Sequence, residues 1–162
     1  MKPKEKEFTQ LIQQNQGIIY KICRLYTNNS EDSEDLFQEI VLQLWKSYNT
    51  FKGDSKFSTW MYRVALNTAI TLFKKSIKQV QTHEIELQHL RFVDTNENEE
   101  TEQQIQQLYE AIKKLSEIER ALIMLYFEDL PYKDISEALG ITEVNARVKM
   151  NRAKQKLKEL LT

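Results

Sequence analysis

Hydrophobic positions recur at helical spacing along almost the whole chain. Phe8, Leu11, Ile12, Ile18, Ile19, Ile22 and Leu25 form a first apolar stripe, which the polar run Gln13 to Gly17 interrupts. Asn28, Asn29 and Ser30 then supply candidate N-caps, and the acidic Glu31, Asp32, Glu34 and Asp35 suit the positive end of a second helix. Its stripe is Leu36, Phe37, Ile40, Val41, Leu44 and Tyr48. A loop from Asn49 to Lys56, around Gly53 and Asp54, leads to a third helix from about Ser58 to Lys78. Phe57, Met61, Val64, Ala65 and Leu72 are expected inward on it, with Lys74, Lys75 and Lys78 near its far end. Three such helices can enclose a small core.

A second set begins at Ile105. Ile105, Leu108, Tyr109, Ile112 and Leu115 make one stripe, Ile118, Ala121, Leu122 and Leu125 another, and Ser116 is a plausible cap between them. Pro131 closes that helix, a short helix follows from Tyr132 to Leu139, and Gly140-Ile141-Thr142 precedes a long basic helix from Glu143 to Leu161. A helix, a tight Gly-containing turn and a second helix is the pattern of a helix-turn-helix.

Charge divides the chain in the same places. Residues 1–80 carry 12 basic and 8 acidic side chains (+4), residues 81–104 carry 1 and 7 (−6), and residues 105–162 carry 10 and 9 (+1). The acidic middle has no apolar periodicity and reads as a flexible linker. The expected fold is therefore all-α: two small helical domains, 1–80 and 105–162, joined by the linker 81–104.

The composition narrows the chemistry. In 162 residues there are three glycines and two prolines, too few for a turn-rich β fold or a Gly-rich phosphate loop. The single Cys23 cannot form an internal disulfide, and no signal peptide opens the chain, so the cytoplasm is the expected compartment. Cys23 lies in an apolar helical pattern with no resolving cysteine, which favours a core thiol over a redox sensor. His83 and His89 have no ligand-spaced partners for a metal and no nearby Ser or Cys nucleophile. Neither catalysis nor a cofactor is expected, and nothing suggests membrane insertion.

On a 100° wheel the last helix turns Ala146, Met150, Ala153, Leu157 and Leu160 to one side. Val144, Asn145, Val148 and Arg152 point the other way, flanked by Lys149 and Asn151. Residues 143–162 contain six basic and two acidic side chains, which suits phosphate neutralisation beside base-reading groups. Asn145 could meet adenine edges, and Arg147 or Arg152 guanine or phosphate. The solvated basic end of a helical hairpin fits these residues too.

From Leu115 to Leu160 the sequence, including Leu-Pro-Tyr-Lys-Asp-Ile-Ser-Glu-Ala-Leu-Gly-Ile-Thr-Glu-Val-Asn-Ala-Arg-Val-Lys, closely resembles region 4 of extracytoplasmic-function sigma factors of the sigma-70 family. Ser33-Glu-Asp-Leu-Phe-Gln-Glu-Ile-Val-Leu-Gln-Leu-Trp45 and Phe57-Ser-Thr-Trp-Met-Tyr-Arg-Val-Ala-Leu-Asn-Thr-Ala69 resemble region 2 of the same family. The resemblance covers nearly the whole chain. It implies a bacterial transcription initiation factor that joins core RNA polymerase, recognises −10 and −35 promoter elements and assists promoter opening. By resemblance, Asp35, Gln38 and Glu39, which share a helical face as i, i+3 and i+4, bind the polymerase clamp.

Lys52, Lys56, Trp60, Asn67, Lys74 and Lys75 carry over to the −10 element, where bases are captured as single strands. The lysines would hold phosphates, and Phe57 and Trp60 fit a core as well as a stacking surface. Val144, Asn145, Arg147, Val148, Lys149, Asn151 and Arg152 carry over to the −35 element. Roughly 24 linker residues reach at most about 80 Å, more than two duplex turns of ~34 Å, although a plain tether has the same composition.

In this family an anti-sigma factor, commonly membrane-anchored, often covers the polymerase-binding faces, which makes it an optional partner here. Three positions depart from the family pattern: Pro131 where serine is common, Ala146 where valine is usual and Thr71 where aspartate is common. Two other readings remain at this point. A stand-alone helix-turn-helix regulator would bind operators without polymerase, and a helical scaffold would need no DNA at all.

Overall fold

The computed structural model describes residues 2–53, 55–80 and 99–162, without the side chains of 78–80. Most of the expected linker, both histidines, Asp54 and the Lys78 side chain lie outside the described residues. The described elements are helices α1 (Pro3–Tyr26), α2 (Ser30–Ser47), α3 (Phe57–Val80), α4 (Glu99–Ile112), α5 (Glu117–Phe127), α6 (Tyr132–Leu139) and α7 (Glu143–Leu161), with a 3₁₀ turn at Tyr48–Thr50. No strand occurs among the described residues, so the all-α expectation holds.

Local chemistry sets most of the boundaries. Pro3 opens α1, where its missing N–H costs nothing. The Asn29 side chain accepts from the Asp32 N–H at 2.7 Å and starts α2. Ser116 and Glu119 form a reciprocal capping box at α5, with bonds of 3.3 and 3.1 Å. Gly140, at φ 67°, ends α6 in the left-handed region, and Thr142 then caps α7 by accepting from the Asn145 N–H at 3.1 Å. Pro131 occupies the α6 cap position and offers no side-chain bond.

Four expectations need correction. The polar run Gln13 to Gly17 does not interrupt α1, because glutamines are good helix formers and this stretch lies on the solvent side, where Gly17 costs only about 1 kcal/mol. Leu72 is exposed rather than inward, and Phe73 turns towards the second half of the chain instead. Leu160, assigned to the packed face of α7, is exposed, and the buried face ends at Leu157. The linker expected over 81–104 is also too long, because α4 begins at Glu99, ahead of its first apolar position, with an acidic first turn that suits the helix dipole.

The core of the first half is made by Ile19, Ile22 and Cys23 of α1, Ile40 and Leu44 of α2, and Met61, Ala65 and Leu66 of α3, all fully buried. Burial pushes the Cys23 thiol up to about 12, against the lowering effect of its bond with Ser33, so it stays protonated and inert. In the second half Leu122 and Leu125 of α5, Ile135 of α6, and Ala146, Met150 and Ala153 of α7 fill the core.

The two halves pack directly on one another. Arg120 of α5 is 8% exposed, and its guanidinium donates to backbone carbonyls from both halves. Its Nη1 donates to the Leu25 carbonyl of α1 at 2.8 Å, its Nε to the Leu115 carbonyl at 3.1 Å, and its Nη2 to the Lys113 carbonyl. The guanidinium lies 4.6 Å over the Phe73 ring of α3 and 5.8 Å from that of Tyr26. Tyr26 donates its hydroxyl to the Glu117 carbonyl at 2.6 Å, and Lys113 Nζ donates to the Thr27 carbonyl at 2.9 Å. Lys21 and Glu128 pair at 2.6 Å on the rim, and Arg24 stacks 4.0 Å over Tyr109.

Replacing Arg120 by alanine removes the shared centre of this contact and leaves the carbonyls to water. Unfolding free energy should fall by at least about 2 kcal/mol. Small-angle scattering should give a radius of gyration clearly above the ~15 Å expected of one globule of this length; an unchanged radius would show that other contacts suffice.

A second expectation concerns acid. Burial raises the Glu119 carboxyl, but bonds from Lys156, at 2.9 Å, and from Ser116 outweigh it and leave Glu119 below its ordinary value. The folded form therefore gains stability above the ordinary carboxylate range and loses it as pH falls through the lower folded value. In acid titration followed by circular dichroism, Glu119→Gln should flatten that loss, and an identical profile would exclude the pair.

Candidate nucleic-acid interface

The outer face of α7 is built by its partners. Helix α6 and the Gly140 turn seat α7, Ala146, Met150, Ala153 and Leu157 anchor it, and the opposite side faces solvent. Of the seven residues assigned to that side, Val144, Asn145, Arg147, Val148, Asn151 and Arg152 are exposed and Lys149 is half-buried. Arg147 rests its guanidinium 4.4 Å over the Tyr132 ring of α6, which limits the conformations of a long side chain at the edge of this face. Ala146, which stands where valine is usual in the family, is fully buried at the packed face.

The residues assigned to a second nucleic-acid surface are less uniform. Lys52 and Lys56 are exposed in the α2–α3 connection, and Lys74 and Lys75 are exposed further along α3. Lys74 lies 3.6 Å from Glu117 of the second half. Asn67 is exposed beside Arg63 and Thr68, and these three share a cavity of about 340 Å3 with Ala138, Leu139 and Gly140 of the helix-turn-helix. The turn that seats α7 thus stands over the face of α3 that carries Asn67. Trp60 is half-buried in a run of rings, 5.3 Å from Phe51, 5.4 Å from Phe57 and 6.3 Å from Tyr48. Much of its surface is spent on packing.

On α2, Asp35 and Gln38 are exposed, and Glu39 is half-buried with Oε1 accepting from Gln43 at 2.9 Å. Gln38 also lines an apolar groove of about 500 Å3 between α1 and α2, whose walls include Phe8, Phe37, Val41, Leu42 and Trp45. Leu42 and Trp45 are exposed there, although Trp45 is held by Phe8 at 5.1 Å. A second apolar groove, of about 300 Å3, lies between α5 and α7, lined by Tyr126, Phe127, Leu157 and Leu161 with Lys154 and Lys158. Sequence patterning missed both grooves. Their only sign was aromatic and aliphatic residues in excess of what one core-facing stripe needs.

No described helix is long and apolar enough to cross a membrane, and the described residues contain no cluster of metal-ligating side chains.

Residues 11–78 match the family described as Sigma-70 region 2, and residues 105–157 match Sigma-70, region 4. The ECF RNA polymerase sigma-E factor of Haemophilus influenzae is 28% identical over 162 residues, spanning 93% of this chain and 85% of that protein. The RNA polymerase sigma factor SigZ of Bacillus subtilis is 31% identical over 136 residues, 83% of this chain and 75% of that one. Among solved structures, the sigma factor RpoE in complex with the anti-sigma factor NepR from Bartonella quintana has a TM-score of 0.78 and 21% identity. It covers 96% of this chain and 97% of that one, which is a likeness of fold.

Proposed function

We infer the division of labour along this chain from one premise: it belongs to the sigma-70 family, in the extracytoplasmic-function group. It is a transcription initiation factor that directs RNA polymerase to specific promoters. The proposed layout assigns residues 1–80 to core-polymerase binding and the −10 element, 81–98 to a tether, since α4 begins at Glu99, and the rest of the chain, with 105–162 at its heart, to the −35 element. The observation that carries the −35 assignment is the exposed, basic outer face of α7, presented by a helix-turn-helix whose other side is fully packed. A stand-alone operator-binding regulator explains that face but leaves the first half without a role.

Asp35, Gln38 and Glu39 are proposed to meet the polymerase clamp, with the neighbouring α1–α2 groove adding apolar contact. Asn67 and Trp60 are proposed to hold unpaired bases of the −10 element, and Lys52, Lys56, Lys74 and Lys75 its phosphates. Val144, Asn145, Arg147, Val148, Lys149, Asn151 and Arg152 are proposed to enter the −35 major groove. A regulatory initiation factor of this kind works on chromosomal DNA, so the cytoplasm is its proposed compartment and no enzymatic activity is assigned to it. An anti-sigma factor, of the kind seen bound to the structurally similar RpoE, is a proposed regulator.

The closed packing of the halves bears on this layout. While α6 stands over the Asn67 face, the −10 and −35 surfaces are held within one globule, whereas promoter elements separated by one or more duplex turns lie ~34 Å or more apart. The halves therefore separate before both elements are read, and the Arg120 contact is the one to be given up.

Substituting Asp35, Gln38 and Glu39 together by alanine should abolish co-elution with core RNA polymerase while leaving the helical content intact. Retained co-elution would move the interface elsewhere. Changing Lys74 and Lys75 to alanine should reduce the slope of log affinity against log salt for promoter binding by the holoenzyme by about 2, one unit for each phosphate contact. An unaltered slope would remove both lysines from the phosphate path.

A further inference from the structure

Two apolar side chains stand where an amphipathic helix should be most polar. The packed face of α7 is centred on Ala146, Met150, Ala153 and Leu157, and at 100° per residue the midpoint of Val144 and Val148 lies roughly opposite that centre. Val144 is 73% exposed and Val148 44% exposed. Isolated exposed valines are ordinary, but these two are one turn apart on a single face, with Arg147 to one side and Arg152 to the other. Neither helps the helix, since β-branched residues are poor helix formers on a solvated surface. Neither contributes to the packed face that holds α7 in the fold.

The surface around them selects the ligand. Cations that can hold phosphates and amides that can meet base edges surround the pair, and the apolar feature that a duplex presents to such a surface is the C5-methyl group of thymine in the major groove. We propose that Val144 and Val148 read thymine methyl groups, so that the duplex element chosen by this helix carries thymines where the two side chains land. Four residues of helix advance about 6 Å along its axis, or about two base-pair steps at 3.4 Å. The two thymines are therefore neighbours or near neighbours.

This proposal rests on the reading of α7 as the base-reading helix and deepens it to a chemical preference. The test starts with the full chain bound to core RNA polymerase and a promoter recovered from a pool randomised upstream. Each thymine of the selected upstream element is then replaced by deoxyuridine, which deletes only the methyl group. Two positions should each lose about fourfold in affinity, the value of one buried methyl-sized group. Val144→Ser should abolish the penalty at one position and Val148→Ser at the other, with thermal melting of both variants confirming that they fold.

A defined upstream element with no uracil-sensitive position would overturn the proposal and leave the reading of α7 standing. Uracil penalties that persist in both serine variants would overturn it too, by assigning the methyl groups to other side chains. A pool that yields no upstream duplex element at all would overturn the reading of α7, and the proposal with it.

Discussion

The arrangement of this protein turns on a buried cation whose hydrogen bonds go to backbone carbonyls. Arg120 satisfies its guanidinium with the carbonyls of Leu25, Lys113 and Leu115 and with the faces of Phe73 and Tyr26. Leu25 lies in the last turn of α1, and Lys113 and Leu115 in the turn between α4 and α5, where carbonyls have lost their helical partners. One side chain therefore serves orphan acceptors from both halves of the chain. Burial lowers the pKa of Arg120 from its ordinary value, with Tyr26 and Glu117 opposing that effect. The cation is thus held by dipoles and rings at a desolvation cost. A contact of that kind closes the molecule in a defined geometry, and water can supply equivalent acceptors once it opens.

Around that contact the proposed division of labour follows the fold. Asp35 and Gln38 of α2 and the outer side of α7 are exposed, whereas Asn67 of α3 lines a cavity with Gln43 and Ser47 of α2 and the Gly140 turn. The closed molecule thus leaves its proposed polymerase-binding and −35 surfaces accessible and crowds the proposed −10 surface. That asymmetry orders the proposed events: polymerase engagement first, separation of the halves second, single-strand capture last.

Much of this was legible in the sequence, for reasons that particular residues make plain. The bounds of α6 and α7 were readable because Gly140 and Thr142 are punctuation with a mechanism, and the buried face of α7 because Ala146, Met150, Ala153 and Leu157 keep a helical period. Periodicity names a face but not what covers it. Leu72 and Leu160 continue their helical stripes yet are exposed, so pattern alone put them inside. Arg120 was invisible as a keystone because it interrupts an apolar run in α5, and the acceptor that ties it to the first half, the Leu25 carbonyl, lies 95 residues away in sequence. Trp60 shows the opposite limit, since its packing among Phe51, Phe57 and Tyr48 could not be separated from base stacking by residue type.

The central claim is that a chain closed at Arg120 opens to span two promoter elements. Spin labels at Thr71→Cys on α3 and Glu137→Cys on α6 would report it, because both sites are exposed and the native Cys23 thiol is buried and inert. Double electron–electron resonance should give one short distance in the free chain and, with core polymerase and promoter DNA bound, a distance beyond one duplex turn of ~34 Å. The same short distance in both states would contradict the account.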